Sequence, residues 1–142
     1  RKIIVIDAET GEQLEEPLVD VKFSGISWKG NDGFYYSSYD KPEGSELSAK
    51  TDQHKLYYHE LGTAQSDDQL IFGGTEEEKH RYVGGYVTED DHFLVVSAAN
   101  STSGNTLYIK DLSDPDADLV LVDGNMDYDT SVLTSRDNML YL

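Results

Sequence analysis

The sequence predicts an all-β chain of antiparallel four-stranded β-propeller blades, a partial propeller of about three blades. Three observations carry this: a turn-and-strand motif that occurs three times, a second strand motif repeated out of phase with it, and no window of sustained 3.6-residue periodicity.

The first motif runs Ser27–Tyr36, returns 59 positions on as Tyr86–Val95, and returns a further 46 on as Val132–Tyr141. In each copy a strand ends in a polar turn with Asp at one fixed place (Asp32, Asp91, Asp137). A second strand then opens on a large apolar residue (Phe34, Phe93, Met139). Asp in such a turn accepts backbone N–H bonds, and Gly33 and Asn138 tolerate positive φ, so each copy reads as a hairpin. The second motif is an apolar strand closing on an acidic residue: Lys2–Asp7, Lys55–Glu60 and Thr106–Asp111, at spacings of 53 and 51. A polar turn follows each, then a short strand near Gln13–Glu16, at Gln69–Phe72 and at Leu119–Val122.

Lettering the strands of a blade A to D, the chain is C–D over 1–20, a full blade over 21–74, a full blade over 82–122, and A–B over 128–142. That predicts twelve strands, with less than about a tenth of the chain helical, well under the usual globular share. Pro17, Pro42 and Pro115 all fall between strands, where a missing N–H costs the ladder nothing. Up-and-down pairing puts the B–C connections (Ser38–His54 and Ser97–Asn105) on one face with the D–A connections (Gly73–Tyr82 and Asp123–Asp129). Long loops on one face are where function is expected. The chain opens on Arg1-Lys2 with no Met and closes on Met139–Leu142, both strand-like, so it reads as a piece of something longer.

Charge excludes some partners. The 11 basic and 28 acidic residues give a net charge of −17. No basic stripe exists to meet phosphates, so nucleic acid is excluded as a partner, as is an anionic membrane surface. No apolar run approaches the roughly 18 residues of a membrane helix, and no signal peptide is visible. With no Cys there is neither a disulfide framework nor a thiolate metal site. The compartment stays open: cytoplasmic or periplasmic in a bacterium.

Chemistry-bearing motifs are sparse. There is no G-x-S-x-G elbow; Gly25–Lys29 is the nearest miss and lies in a strand. His54, His59, His80 and His92 lack metal-ligand spacing and read as surface or edge residues. Asp114-Pro115-Asp116-Ala117-Asp118 opens like a calcium loop, but Leu119 replaces the glycine of the sharp turn and Asn125 the final bidentate Glu. It reads as a solvated turn. Asn100-Ser101-Thr102 is a formal glycosylation sequon. Trp28, Tyr35-Tyr36 and Tyr57-Tyr58 read as packing between blades. No catalytic, cofactor or metal residue is assigned to this chain.

Specific words in the chain resemble the prolyl oligopeptidase family. Val21-Lys22-Phe23-Ser24 with Gly33–Tyr36 looks like the start of one of its blades, and Gln53–Asp68 is similar nearly residue for residue to the family's HKLYYHxLGTxQxxD segment. Gly84-Gly85 and Leu107–Leu112 fit the same frame, so the similarity spans Val21 to Leu112. The resemblance implies a serine peptidase that cuts short peptides after proline, in which a seven-bladed propeller caps and gates a C-terminal α/β-hydrolase domain of the same parent chain. The catalytic Ser, Asp and His lie in that domain, and none maps here. It also implies peptide contacts, including an Arg, from a B–C loop. The matching loop, with Ala98, Ala99, Asn100, Ser101 and Thr102 as candidate cleft-facing residues, is small and uncharged, a departure from the pattern. The alternative is a non-catalytic β-propeller binding scaffold. Self-association of the chain is expected in either case, because blades bury their apolar faces against neighbours on both sides.

Overall fold

The computed structural model describes residues 1–39 and 53–142. Ten strands lie in it: β1 (Val21–Lys29), β2 (Gly33–Tyr39), β3 (His54–Glu60), β4 (Gln69–Phe72), β5 (Tyr82–Val87), β6 (Phe93–Ala99), β7 (Thr106–Asp111), β8 (Val120–Asp123), β9 (Thr134–Arg136) and β10 (Met139–Tyr141). They form two antiparallel four-stranded sheets, ordered β1-β2-β3-β4 and β5-β6-β7-β8, and a β9–β10 hairpin. The expected C–D pair over residues 1–20 is an antiparallel pair joined at two bridges, Ile3 to Leu18 and Ile6 to Gln13, rather than two full strands. A 3-10 turn, Gln65–Asp67, is the only helical element among the described residues.

The sequence repeat extends to a defect. The third and fourth strands of each sheet slip register at matching places, between Leu56 and Tyr57 and between Leu107 and Tyr108. The hairpin turns differ from expectation in detail. Gly30, not Gly33, takes positive φ. Gly33 is required by space instead: a Cβ there would sit 2.1 Å from the His59 carbonyl oxygen. At the fixed Asp, Asp91 and Asp137 adopt positive φ themselves. In the second turn the acceptor is Asp90, which takes the His92 N–H.

Two apolar cores hold the blades together. One joins the first sheet to the second: Tyr35, Leu56 and Phe72 pack on Val83, Leu94, Val96 and Ala98. The other joins residues 1–20 to the first sheet through Ile3, Val5, Leu18, Val21, Phe34 and Tyr36. Tyr35–Tyr36 and Tyr57–Tyr58 belong to these seams, whereas Trp28 rests on Phe34 with 44% of its surface exposed. Ile4, Ile6 and Leu14 are exposed at one end of the row of blades, and Val120, Leu121, Met139 and Tyr141 at the other.

The histidine expectation is corrected. His54, His59 and His80 are buried, and only His92 stays partly exposed, stacked on Phe93. Burial is tolerated because each ring is hydrogen-bonded. His59 places Nδ1 2.6 Å from Asp68 Oδ1 and Nε2 2.9 Å from Glu15 Oε1. Both ring nitrogens thus face carboxylate oxygens. The Tyr36 hydroxyl donates to the other Asp68 oxygen at 2.6 Å, and the Gly62 N–H donates to Glu15 at 2.9 Å. Burial, with the Asp68 hydrogen bond, raises the Tyr36 phenol well above its ordinary range. Residues 1–20 and the first blade are therefore joined by hydrogen bonds to Glu15 as well as by apolar packing.

Candidate functional site

The B–C and D–A connections meet where β2, β4 and β6 end and β3, β5 and β7 begin. Most of the first B–C connection lies outside the described residues. The rest of this face is organised by a bulge. Between the Val21–Ser38 and Ile26–Tyr36 pairs, β1 takes five residue steps while β2 takes two. The surplus Lys22–Gly25 leaves the ladder, and Phe23 adopts φ of 48°. That left-handed conformation costs on the order of 1 kcal/mol or more for a residue with a Cβ. It is held because Ser24 Oγ accepts the Ser37 N–H at 2.7 Å, which would otherwise lose its ladder partner.

The result is an aromatic side chain 68% exposed yet fixed in place. Phe23 meets Tyr39 and Tyr82 edge-on, each at 6.2 Å between ring centroids. Tyr39 lies over His54 at 4.5 Å and donates its hydroxyl to the Arg81 carbonyl at 2.8 Å. Burial raises the Tyr39 phenol. Two neighbouring residues expose cations, Lys22 and Arg81.

His54 anchors the group. Its Nε2 lies 2.9 Å from the Lys22 carbonyl oxygen, and its Nδ1 accepts the Val83 N–H at 2.8 Å. The Val83 donor fixes the neutral tautomer with the proton on Nε2. Burial pushes the ring's pKa below its ordinary value, with the Lys22 carbonyl opposing. One side chain thus ties the bulge on β1 to β5 of the next blade.

The five residues of the expected loop are divided. Ala98 is buried in the core between sheets, and Ala99 pairs with Tyr82 across β5 and β6. Ser101 and Thr102 are exposed. Asn100 alone of the five joins this segment through its side chain, its Oδ1 accepting the Arg81 N–H at 3.1 Å. Sequence reasoning missed Phe23, Tyr39, His54, Arg81 and Tyr82. A bulge is set by register, and strand alternation alone would have turned Phe23 inward with Val21.

Among the described residues, acid–base groups elsewhere do not form a nucleophilic relay. His59 meets carboxylates on both nitrogens, and His92 Nε2 is shared by Asp111 at 3.1 Å and Ser113 at 3.5 Å. Among the described residues, no group of three or more His, Asp or Glu is placed to hold a metal ion.

The chain matches the family described as "Prolyl oligopeptidase, N-terminal beta-propeller domain" along residues 1–142. It is 56% identical to a prolyl endopeptidase of Elizabethkingia meningoseptica over 142 residues, 99% of this chain and 20% of that protein. It is 36% identical to prolyl oligopeptidase A of Amanita bisporigera over 110 residues, 70% of this chain and 14% of that protein. A solved prolyl endopeptidase, from work on inter-domain dynamics in catalysis and specificity, superposes with a TM-score of 0.81 at 26% identity, over 95% of this chain and 19% of its own. Prolyl oligopeptidase B from Galerina marginata, bound to a 35mer substrate, shares the fold with a TM-score of 0.79 at 22% identity, over 96% of this chain and 20% of its own. The chain spans a fifth or less of the length of these proteins.

His54 generates a pH prediction. Its folded-state value is lowered, so below about pH 6.5 the unfolded chain takes up a proton that the folded chain resists. The stability contributed is present above about 6.5 and is lost as pH falls. Urea midpoints at pH 7.5 and pH 5 measure this: His54→Gln is less stable than the parent sequence at pH 7.5 and loses less between the two. Equal losses in both proteins would rule out this role for His54.

Proposed function

Because the chain belongs to the prolyl oligopeptidase family, along its N-terminal β-propeller domain, we propose that it is the propeller portion of a serine peptidase that cleaves short peptides after proline. In this reading the propeller partners the C-terminal α/β-hydrolase domain of the parent chain, restricts entry to short peptides, and excludes water from the reaction. The fragment alone is inactive. The observation supporting a peptide-facing surface is Phe23, a strained and mostly exposed aromatic held on the loop face by Tyr39 and Tyr82. Exposed apolar groups in a preorganised site favour binding, because little order remains to be imposed.

Phe23→Ala in the parent peptidase tests this. Partial burial of a Phe side chain corresponds to roughly a five- to tenfold fall in kcat/KM on proline-containing peptides, with a change in thermal midpoint of at most about 2 °C because little of the side chain is buried. Unchanged kcat/KM removes Phe23 from the peptide's path. A parent chain without a Ser–Asp–His domain would leave the scaffold reading instead.

The chain by itself self-associates through the exposed rows at its two ends, Ile4, Ile6 and Leu14 on one side and Val120, Leu121, Met139 and Tyr141 on the other. The charge of −17 opposes this, but is screened beyond about 8–10 Å at ordinary salt. Light scattering at micromolar concentration reads the mass: a multiple of 15.9 kDa is expected, and a lone 15.9 kDa species overturns it.

A further inference from the structure

Two cation–aromatic dipeptides meet across the seam between blades: Lys22-Phe23 on the β1 bulge, and Arg81-Tyr82 at the start of β5. Their rings touch at 6.2 Å, and both cations are exposed. Neither Lys22 nor Arg81 enters an ion pair among the described residues. Both main chains are pinned from other strands. The Lys22 carbonyl faces His54 Nε2. Arg81 is held on both sides, its N–H donating to Asn100 and its carbonyl accepting from Tyr39. Glu78, on the same connection, is occupied, its Oε2 accepting the Gly73 and Gly74 N–H groups. Glu76 and Glu77 are exposed nearby and compete for the cations through solvent.

An exposed cation on a flexible loop does little, because ordering its side chain offsets the Coulomb gain. Here the backbone is already fixed, and the guanidinium offers a fork matched to a carboxylate. The setting adds contrast: on a chain of net charge −17, two cations flank the exposed ring. We propose that Arg81, with Lys22 beside it, reads a carboxylate on the bound peptide, an acidic side chain or a free terminus, and that Asn100 is its positioning residue. This rests on the reading that the Phe23 face meets peptide.

The test uses the parent peptidase and pairs of proline-containing peptides that differ only by Glu against Gln, placed in turn at each position flanking the proline, with a further pair differing by a free or amidated C-terminus. The readout is the ratio of kcat/KM within each pair, which a merely structural role would not move. The parent enzyme should prefer the carboxylate at one or more positions by roughly two- to fivefold, the range of a single exposed ion pair. The preference should fall toward unity with added salt. Arg81→Gln should bring the ratio to about one, Arg81→Lys should keep part of it, and Asn100→Ala should lower it.

If every ratio is near one in the parent enzyme, or if Arg81→Gln leaves the preference intact, the carboxylate proposal is overturned. If in that case Phe23→Ala still lowers kcat/KM, the peptide-facing surface stands without it. If Phe23→Ala changes nothing as well, both fall.

Discussion

The structure depends on how the free edge of β5 is satisfied. β5 pairs with β6 on one side only, and its other edge lies against the preceding blade. An unpaired strand edge buried without partners would leave N–H and C=O groups unmet, at a cost comparable to a lost hydrogen bond each. Here side chains meet them. The Val83 N–H donates to His54 Nδ1 at 2.8 Å, the Val83 carbonyl accepts from Ser37 Oγ at 2.7 Å, and the Val87 N–H donates to Ser27 Oγ at 2.8 Å. Those partners come from β3, β2 and β1, so three of the four strands of one blade grip one strand of the next. Between them Gly85 lets Leu56 close in: a Cβ at Gly85 would lie 2.6 Å from a Leu56 methyl.

The two seams solve one problem with different chemistry. The seam at β5 uses neutral groups, a tautomer-fixed histidine and two serines around an apolar core. The seam to residues 1–20 uses carboxylates, with His59 between Glu15 and Asp68. Leaving one buried partner of a hydrogen bond unmatched costs about 1–3 kcal/mol. Each seam is reinforced by a pairing distant in sequence. In the seam to residues 1–20, the Gln65 amide both donates to and accepts from Val19, 46 residues away. In the seam at β5, His54 reaches back 32 residues to Lys22 and forward 29 to Val83. Single blades have little reason to be stable apart, which is the general behaviour of repeat architectures.

What was legible in the sequence was local. The hairpins at Asp32, Asp91 and Asp137 and the order of strands follow from turn residues and two-residue alternation, signals written within ten residues. What was not legible depended on partners far along the chain. His54 and His59 look like polar edge residues until other segments supply their partners, Lys22 and Val83 for His54, Glu15 and Asp68 for His59. Gly33 looks like a turn glycine, but it is there because the next strand's backbone passes too close for a side chain. The β1 bulge is a mismatch between two strands, so neither strand's own pattern reveals that Phe23 faces outward. Of the expected loop, Asn100 proved informative for a reason its sequence context does not show: it holds Arg81.

Structure and proposed function thus share one seam, since the side chain that satisfies Val83 also fixes the bulge that presents Phe23. Native-state hydrogen exchange of the Val83 and Val87 amides tests this most directly. If side chains of one blade satisfy the edge of the next, both amides exchange as slowly as the β6 amides of Val95 and Val96, with the same opening free energy and the same response to denaturant. If Val83 and Val87 exchange at rates near those of an open strand edge while β6 stays protected, the blades are not joined in this way and the account fails.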